Sequence, residues 1–282
     1  MTKFLDSQFH VSLPTEDGLE EYDFDLYEHN RAAWNLESTR GSAWSTPVTR
    51  SVIDAARRGD WEIRLTPNKA VPRDWFGELS GRKVLALASG GGQQAPVLAA
   101  AGAQVTSYDL SEVQLQKDDT VARASGLAVR CVLGNMCDLD ALLDEEFDLI
   151  VHPVSNIFAK DLDLVWSECF RVLKKGGSIV SGFMNPAYFL FDHDEAKQTG
   201  QLNVKHRLPF SDTSSLEPSR LGHKVKEQQP LYFGHTLESQ IGGQIKAGFS
   251  ITGFYEDWWS DEATPLNRFS PCSAATRATK PK

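Results

Sequence analysis

The chain has 282 residues, of which 41% are hydrophobic and 24% are charged, an ordinary composition for a folded globular protein. Its formal net charge of -9 argues against a broad electrostatic surface for nucleic acid or for an anionic membrane. No apolar run reaches transmembrane length, and the first residues lack the basic start and apolar core of a signal peptide. We therefore expect a cytoplasmic protein whose partners are neither nucleic acids nor membranes.

The first 80 residues predict an N-terminal arm followed by a helical lid. Residues 1–25 are acidic and are broken by a proline and a glycine, so we expect a weakly fixed arm there. Residues 26–58 favour one or two helices, interrupted near Gly41 and Pro47. Residues 60–81 contain further prolines and glycines and predict a linker with some structure.

The pattern changes at Lys83, where short apolar strands begin to alternate with helices. The predicted strands cover residues 83–88, 105–108, 129–133, 147–151 and 178–183. The predicted helices between them cover residues 93–101, 111–125 and 161–173. Strands and helices that alternate at this spacing form parallel strands joined by right-handed crossovers. We therefore predict an α/β fold with a doubly wound, mostly parallel, seven-stranded sheet of the Rossmann-like type.

The second half of the chain is less regular. Residues 185–233 carry four prolines and little helical periodicity, which is typical of a functional lid or binding insertion. After them, residues 236–247 predict a helix, and residues 250–255 and 273–279 predict the last two strands. The predicted organisation is an arm and lid at 1–80, a cofactor-binding core at 81–184, a substrate-lid insertion at 185–234 and the rest of the core sheet at 235–282.

Three consecutive glycines, Gly90, Gly91 and Gly92, stand between the first predicted strand and its helix. Gly90 and Gly92 allow a sharp turn and a close approach of the backbone to a ligand. The helix that follows points free N–H groups and its positive dipole end at that place, which suits an anionic group. The loop alone is also compatible with a tight turn that binds nothing, and with Ala95 it fits the dinucleotide pattern.

Asp109 ends the second predicted strand, 17 residues after Gly92. A carboxylate there is placed to accept hydrogen bonds from both ribose hydroxyls of a nucleoside that lies across the strand tips. It would repel the extra phosphate of NADP. The alternative is an exposed turn aspartate in front of a helix.

Four segments resemble, in order, the motifs of class I S-adenosylmethionine-dependent methyltransferases. Residues 84–92 (VLALASGGG) resemble the first motif, and Gly134-Asn135-Met136 resembles the usual Gly-Asp-hydrophobic triplet. Residues 147–151 resemble the fourth strand, and residues 171–177 resemble the turn whose two glycines reverse the chain before the fifth strand. The resemblance covers residues 83–184 well and the flanking lids hardly at all. It implies S-adenosyl-L-methionine as the cofactor.

The resemblance also implies which residues contact that cofactor. The methionine end would contact Ser89, Gly90 and Gly92. Apart from the resemblance, Trp44 of the predicted lid is a further candidate to shape that end of the pocket. The ribose and adenine would contact Asp109, Leu110, Asn135 and Met136. His152, just after the fourth strand, would lie beside the sulfonium and the substrate.

Two residues depart from the family pattern. Ala86 occupies a position that is usually acidic, and Ala88 replaces a common glycine. Because the acidic residue normally helps to hold the amino group of the cofactor, another residue or a water molecule must do so in this chain.

Candidates for catalysis and substrate binding cluster after the predicted strands. His152 lies at the strand tips, where it would act as a general base or, equally well, as a hydrogen-bonded histidine of the cofactor pocket. Asn185 and Tyr188 follow the fifth strand and are predicted to face the substrate, and His235 is a further candidate. Asp192, His193 and Asp194 lack a further ligand at metal-site spacing, so we predict no metal site.

The sequence therefore favours a methyltransferase that acts on a small molecule. A thiol acceptor needs the least catalytic machinery, because its thiolate is partly present at neutral pH, and oxygen or nitrogen acceptors are the other options. An NAD-dependent oxidoreductase shares the glycine loop and Asp109 but leaves the Gly134-Asn135-Met136 and Gly176-Gly177 segments unexplained. A binding protein that holds S-adenosylmethionine without catalysis is the third possibility.

Overall fold

The computed structural model describes residues 10–14 and 21–282. The N-terminal arm forms, within the described residues, an antiparallel pair of strands, β1 (His10–Pro14) and β2 (Glu21–Asp25). This part of the arm is therefore more regular than expected. The other residues of the arm lie outside the described part of the chain. Two helices follow where they were predicted, α1 (Leu26–Thr39) and α2 (Arg50–Arg57), on either side of a 3-10 turn, Ala43–Ser45, and this segment is here called the lid.

The core is one seven-stranded sheet. Its strands are β3 (Lys83–Leu87), β4 (Gln104–Asp109), β5 (Val129–Leu133), β6 (Phe147–His152), β7 (Leu173–Met184), β10 (Ser250–Asp257) and β11 (Ser273–Thr279). The strand order is β10-β11-β7-β6-β3-β4-β5, and the five strands from β3 to β7 are parallel. Only β11 and its neighbour β10 add antiparallel pairs at one side. The predicted mostly parallel, Rossmann-like sheet is therefore confirmed.

Helices cover both faces of this sheet, because the central strands are apolar on both sides. Four consecutive side chains of β3, from Val84 to Leu87, are fully buried. Helices α3 (Gln94–Ala100) and α4 (Glu112–Ala124) pack on one face with α2, and α5 (Leu162–Val172) packs on the other. Ser111 caps α4 as its sequence spacing predicts, since its hydroxyl accepts a hydrogen bond from the Gln114 N–H. None of the described helices is long and apolar enough to cross a membrane.

The insertion after β7 is more ordered than expected. It contains three short helices, α6 (His193–Thr199), α7 (Asp212–Ser215) and α8 (Pro218–Lys226), and a small antiparallel pair, β8 (Phe210–Ser211) and β9 (Phe233–Gly234). The prolines misled the prediction because Pro218 begins a helix, a position at which proline loses no helical hydrogen bond.

Two C-terminal features also differ from the expectation. The helix predicted at 236–247 is divided into a π-helical turn, Glu238–Gly242, and α9 (Gly243–Lys246). Strand β7 begins at Leu173 and not at Ser178, and its pairing with β6 shifts between these residues, so that Gly176 and Gly177 form a bulge within the strand. Gly176 has a φ of +78°, a conformation that favours glycine, so the chain does turn sharply there.

Candidate functional site

The candidate site lies where the connections of the sheet change direction. From β3 the chain continues to β4 and β5 on one side, and it then crosses to β6 and β7 on the other. A crevice opens at the carboxyl ends of strands at such a switch point, and ligands bind there in open α/β sheets. In this protein the crevice is covered by helix α1, and the loop after β6 forms its far wall through Phe158 and Ala159.

Four of the predicted cofactor residues line one pocket in this crevice: Asp109, Leu110, Asn135 and Met136. Leu26 and Tyr27 of α1 and Phe158 face them and supply apolar surface. The Asn135 side-chain oxygen accepts a hydrogen bond from the Cys137 N–H at 3.0 Å, which fixes the direction of its amide. The pocket therefore combines the carboxylate of Asp109 with apolar side chains.

Asp109 is buried at the end of β4, with 8% of its surface exposed. Its two carboxylate oxygens accept hydrogen bonds from the backbone N–H groups of Gly90, at 3.0 Å, and Ser111, at 2.9 Å. Burial raises the pKa of Asp109 to about 6, although these hydrogen bonds oppose the shift. One side chain thus joins the glycine loop to the start of α4.

The glycine loop is packed directly under the N-terminal lid. Gly91 has a φ of +114°, and a Cβ atom placed on it would lie 2.9 Å from the Ser45 Cα atom. Gly92 has a φ of +76°, and its Cβ atom would lie 2.9 Å from the Pro47 side chain. Any other residue at either position would have a strained backbone, and its side chain would collide with the lid. The close approach of the two backbone segments therefore requires both glycines.

Helix α4 fastens this lid to the loop. The Lys117 ammonium donates hydrogen bonds to the carbonyl oxygens of Ser38 and Ser45, both at 2.7 Å. The Val48 N–H donates to the Gly92 carbonyl at 2.8 Å. Residues 38–48 therefore close over the methionine side of the predicted cofactor site.

Trp44 belongs to this closing segment but does not line the pocket beside Asp109. Its ring is 53% exposed and packs edge-on against Trp259, with ring centroids 5.9 Å apart. The backbone of the adjacent Ser45, and not the indole ring, covers the glycine loop. The contact between Trp44 and the cofactor stays a prediction.

Two buried polar atoms beside the glycine loop lack partners. Among the described residues, the buried side-chain oxygens without a hydrogen bond are Ser89 Oγ, Gln94 Oε1 and Ser181 Oγ. Ser89 precedes the loop and Gln94 follows it, whereas Ser181 lies within β7. Buried polar atoms without partners are costly, so the pair that flanks the loop indicates a polar ligand at this place.

Asp118 is a buried acidic residue that the sequence reasoning missed. It lies on α4 with no exposed surface, and its carboxylate accepts hydrogen bonds from the Gly92 N–H at 2.7 Å and from the Ser107 hydroxyl at 2.6 Å. Burial raises its pKa to about 7. A signal was present in the sequence, because Leu115, Asp118 and Ala122 share the buried face of the helix.

The two departures from the family pattern have different consequences. Ala86 is fully buried in the core and leaves no polar group at that strand position. Ala88 adopts a φ of +47°, in the left-handed region, where a residue with a Cβ atom costs about 1–2 kcal/mol. The chain therefore keeps the backbone conformation for which the family commonly uses glycine.

His152 lies beneath the crevice with no exposed surface, so its surroundings differ from those expected of a general base. Its Nδ1 atom lies 3.1 Å from the Leu87 carbonyl oxygen, and its Nε2 atom lies 2.7 Å from the Asn156 side chain. Asn156 in turn donates to Gln240 at 2.8 Å. Burial lowers the pKa of His152. The ring is thus neutral and holds the loop after β6. His152 is not among the residues that line the pocket beside Asp109, so its place in the cofactor site stays a prediction.

The three predicted substrate residues, Asn185, Tyr188 and His235, all contact other residues of the protein. Asn185 caps a 3-10 turn through its side-chain oxygen and donates from its amide to the Pro271 carbonyl. His235 contacts the carbonyl oxygens of Asn156 and Ala159 through Nε2. Tyr188 stacks on His193, with ring centroids 3.7 Å apart. Asn185 and His235 therefore have polar groups engaged within the protein, and the contact of these residues with substrate stays a prediction.

Tyr188 does belong to an apolar cluster over the carboxyl ends of β6 and β7. The members of this cluster, here called the aromatic wall, are Val154, Ile157, Met184, Tyr188, Phe189, Leu208, Phe210, Leu216 and Trp259. They come from three stretches: the loop after β6, the continuous stretch from the end of β7 into the insertion, and the segment after β10. The wall therefore brings three separate parts of the chain to the side of the crevice opposite β4 and β5.

Known methyltransferases resemble this chain in sequence. A family model described as a methyltransferase domain matches residues 85–181. The chain is 48% identical over 255 residues to the uncharacterized methyltransferase YbaJ of Bacillus subtilis (strain 168), and the match covers 90% of this chain and 98% of that protein.

Two solved structures share the fold. An S-adenosylmethionine-dependent methyltransferase from Mesorhizobium loti has a TM-score of 0.56 at 18% identity, covering 73% of this chain and 94% of that one. The geranyl diphosphate C-methyltransferase of Streptomyces coelicolor A3(2), solved with Mg2+, geranyl diphosphate and S-adenosyl-L-homocysteine, has a TM-score of 0.55 at 14% identity. That match covers 90% of this chain and 98% of the other.

Proposed function

The chain belongs to the family of S-adenosylmethionine-dependent methyltransferases, and from this premise we propose that it methylates a small-molecule acceptor. It is a methyltransferase with S-adenosyl-L-methionine as cofactor, and the bound cofactor supplies an electrophilic methyl group. The protein has to bind the cofactor, place the acceptor in line with the methyl group and exclude water.

The residues at the strand tips fit this cofactor. On this proposal Asp109 contacts the ribose, Leu110 and Met136 contact the adenine, and the unpartnered Ser89 hydroxyl contacts the methionine end. Two buried carboxylates, Asp109 and Asp118, lie close to the loop, and neither forms an ion pair with a described basic residue. A ligand with a sulfonium and an ammonium group suits such a site.

NAD suits this site poorly, because the same two carboxylates lie close to the glycine loop. The pyrophosphate of a dinucleotide needs free N–H groups and no negative charge at the glycine loop. In this protein the Gly90 and Gly92 N–H groups already donate to carboxylates. Because these N–H groups are already engaged, the loop argues against an NAD-dependent oxidoreductase, in agreement with the family membership.

The aromatic wall is the observation that carries the proposal of a small-molecule acceptor. Its side chains are aromatic and aliphatic, and several of them come from the insertion that follows β7. Enclosed sites with apolar walls and few polar groups are typical of small-molecule binding. The named acceptor of the Streptomyces coelicolor enzyme, geranyl diphosphate, is also a small molecule with a large apolar part.

The state of His152 favours an acceptor that needs no base. Both of its ring nitrogens are engaged, and His235 is engaged as well. A thiol is partly ionised at neutral pH and therefore needs the least help, so we place apolar or aromatic thiols first among the acceptors. Phenolic oxygen and amine nitrogen follow.

Two measurements test this function. Calorimetry should show binding of S-adenosylmethionine and S-adenosylhomocysteine and none of NAD. A panel of apolar thiols, phenols, amines and carboxylates should then be screened for release of S-adenosylhomocysteine. Tight binding of NAD with no response to either sulfur compound would contradict the cofactor, and turnover only with a macromolecular acceptor would contradict the small-molecule proposal.

Replacement of His152 by asparagine should lower the rate without changing the shape of its pH profile. The reason is that His152 is buried, with a lowered pKa, and acts by holding the loop that contains Asn156. The profile should be measured from about pH 6 to about pH 9 on an acceptor from the panel, where a catalytic histidine would titrate. Loss of one limb of the profile in the variant would restore the role of general base.

A further inference from the structure

The buried carboxylate of Asp118 holds the glycine loop from behind. It reaches the Gly92 N–H from helix α4, and its second oxygen is held by the Ser107 hydroxyl. In the register of the parallel strands, Ser107 of β4 lies beside Ala86 of β3. The carboxylate therefore sits next to the strand position at which this chain lacks an acidic side chain.

Its surroundings leave the negative charge without a counter-charge. The described charged group that acts on Asp118 is Asp109, which is also acidic. The neighbouring Lys117 directs its ammonium away, to the carbonyl oxygens of Ser38 and Ser45. A buried carboxylate without a cation is costly, so a cationic group bound near the glycine loop would stabilise the ionised form of Asp118.

The glycine loop is the position at which we expect this cationic group to bind. Gly92 lies between Asp118 and the lid, and the unpartnered oxygens of Ser89 and Gln94 flank the loop. Asp118 itself has no exposed surface, so it acts on a ligand through the loop and through its charge, and not by direct contact.

We propose that Asp118 is the positioning carboxylate of the cofactor site: it holds the glycine loop for the methionine end of the cofactor and balances the positive charge there. On this proposal, which presupposes the methyltransferase function, the acidic group of the site comes from helix α4 and not from the strand position at Ala86.

The test compares two ligands that share the adenosine part. S-adenosylhomocysteine carries the amino-acid end, and 5′-methylthioadenosine lacks it. Replacement of Asp118 by alanine should weaken binding of the first by about tenfold or more, the scale of a lost interaction with a charged group, and leave binding of the second within about twofold. Calorimetry on the purified full chain measures both. The control is Asp119→Ala, which removes the neighbouring carboxylate that pairs with Arg123 on the surface.

Two further variants separate positioning from a general structural role. Asp118→Asn preserves the shape and the hydrogen bond from Gly92, and it should still weaken S-adenosylhomocysteine binding because the charge is lost. The double variant Ala86→Asp/Asp118→Ala returns a carboxylate to the strand and should regain part of the affinity lost in Asp118→Ala.

The proposal is overturned if Asp118→Ala and Asp118→Asn bind S-adenosylhomocysteine like the wild type. It is also overturned if both ligands weaken equally, or if the double variant regains nothing. Failure of the wild-type protein to bind S-adenosylhomocysteine at all would instead contradict the proposed function.

Discussion

Replacement of Asp109 by alanine should weaken S-adenosylhomocysteine binding by about 1–3 kcal/mol, or roughly 5- to 150-fold, because hydrogen bonds to a charged group are lost. The structure adds a second reason to the predicted contact with the ribose. Asp109 also holds the Gly90 and Ser111 N–H groups, so its removal loosens the glycine loop and the start of α4 together. Calorimetry with S-adenosylhomocysteine measures the loss, and Asp119→Ala is again the matched control.

Replacement of Asp109 by asparagine should weaken S-adenosylhomocysteine binding as well. Both oxygens of Asp109 accept from backbone N–H groups, so an amide would direct its own N–H at one of these donors. Because 5′-methylthioadenosine retains the ribose, its binding should weaken along with that of S-adenosylhomocysteine. This response is the opposite of the one expected for Asp118. Unchanged binding of both ligands by Asp109→Ala would remove Asp109 from the site.

The binding of S-adenosylhomocysteine should also depend on pH through Asp109. Its pKa is raised to about 6 in the free protein, and the ionised form is the better acceptor for ribose hydroxyls. Affinity should therefore fall as the pH drops below about 6. Because Asp118 also titrates, and is expected to act only on the amino-acid end of the ligand, the dependence is measured with 5′-methylthioadenosine. With this ligand it should be absent in Asp109→Ala, which gives the assignment a readout that a purely structural residue would not provide.

The sequence was sufficient for the features that depend on local pattern. The apolar strands, the Ser111 cap and the position of Asp109 at a strand end follow from periodicity and spacing, and the structure has them where they were expected. Adjacent strand ends in a parallel sheet meet at one edge, so Asp109 and Asn135 were predictable neighbours. The family resemblance then supplied the kind of ligand.

The other features of the candidate site depend on contacts between distant parts of the chain. That Ser45 rests on Gly91, or that both His152 nitrogens are occupied by Leu87 and Asn156, follows from tertiary packing that no local pattern encodes. The aromatic wall is assembled from three separate segments, so its members could not be grouped from the sequence. Asp118 is the exception, because an aspartate on the apolar face of a helix is a visible signal of a buried role.

Replacement of Asp118 by asparagine should make the free protein more stable at neutral and alkaline pH. The unfolded-state pKa of an aspartate is about 3.9, and burial raises that of Asp118 to about 7 in the folded protein. Between these values the folded state holds a proton that the unfolded state has lost. The stability of the wild type therefore falls as the pH rises through this window, and an amide escapes that loss.

The difference between Asp118→Asn and the wild type should grow from near zero at about pH 4 to at most about 4 kcal/mol above about pH 7, since each unit of pKa shift corresponds to about 1.4 kcal/mol. Asparagine fits because its oxygen can accept from the Gly92 N–H while its amide donates to the Ser107 hydroxyl, which turns to accept. Urea unfolding without ligand at about pH 4.5, 6 and 8 measures the change. Asp119→Asn, on the exposed side of α4, should alter the free energy of unfolding little.

A gain in stability joined to a loss of S-adenosylhomocysteine affinity would show what the carboxylate is for. A residue retained for the fold alone would lower stability when replaced, at every pH. The charge of Asp118 instead opposes the folded state until a cationic ligand balances it, so the ligand should stabilise the wild type more than Asp118→Asn. Thermal unfolding of both proteins with and without S-adenosylhomocysteine measures this difference, and an equal gain in the two would refute the electrostatic role.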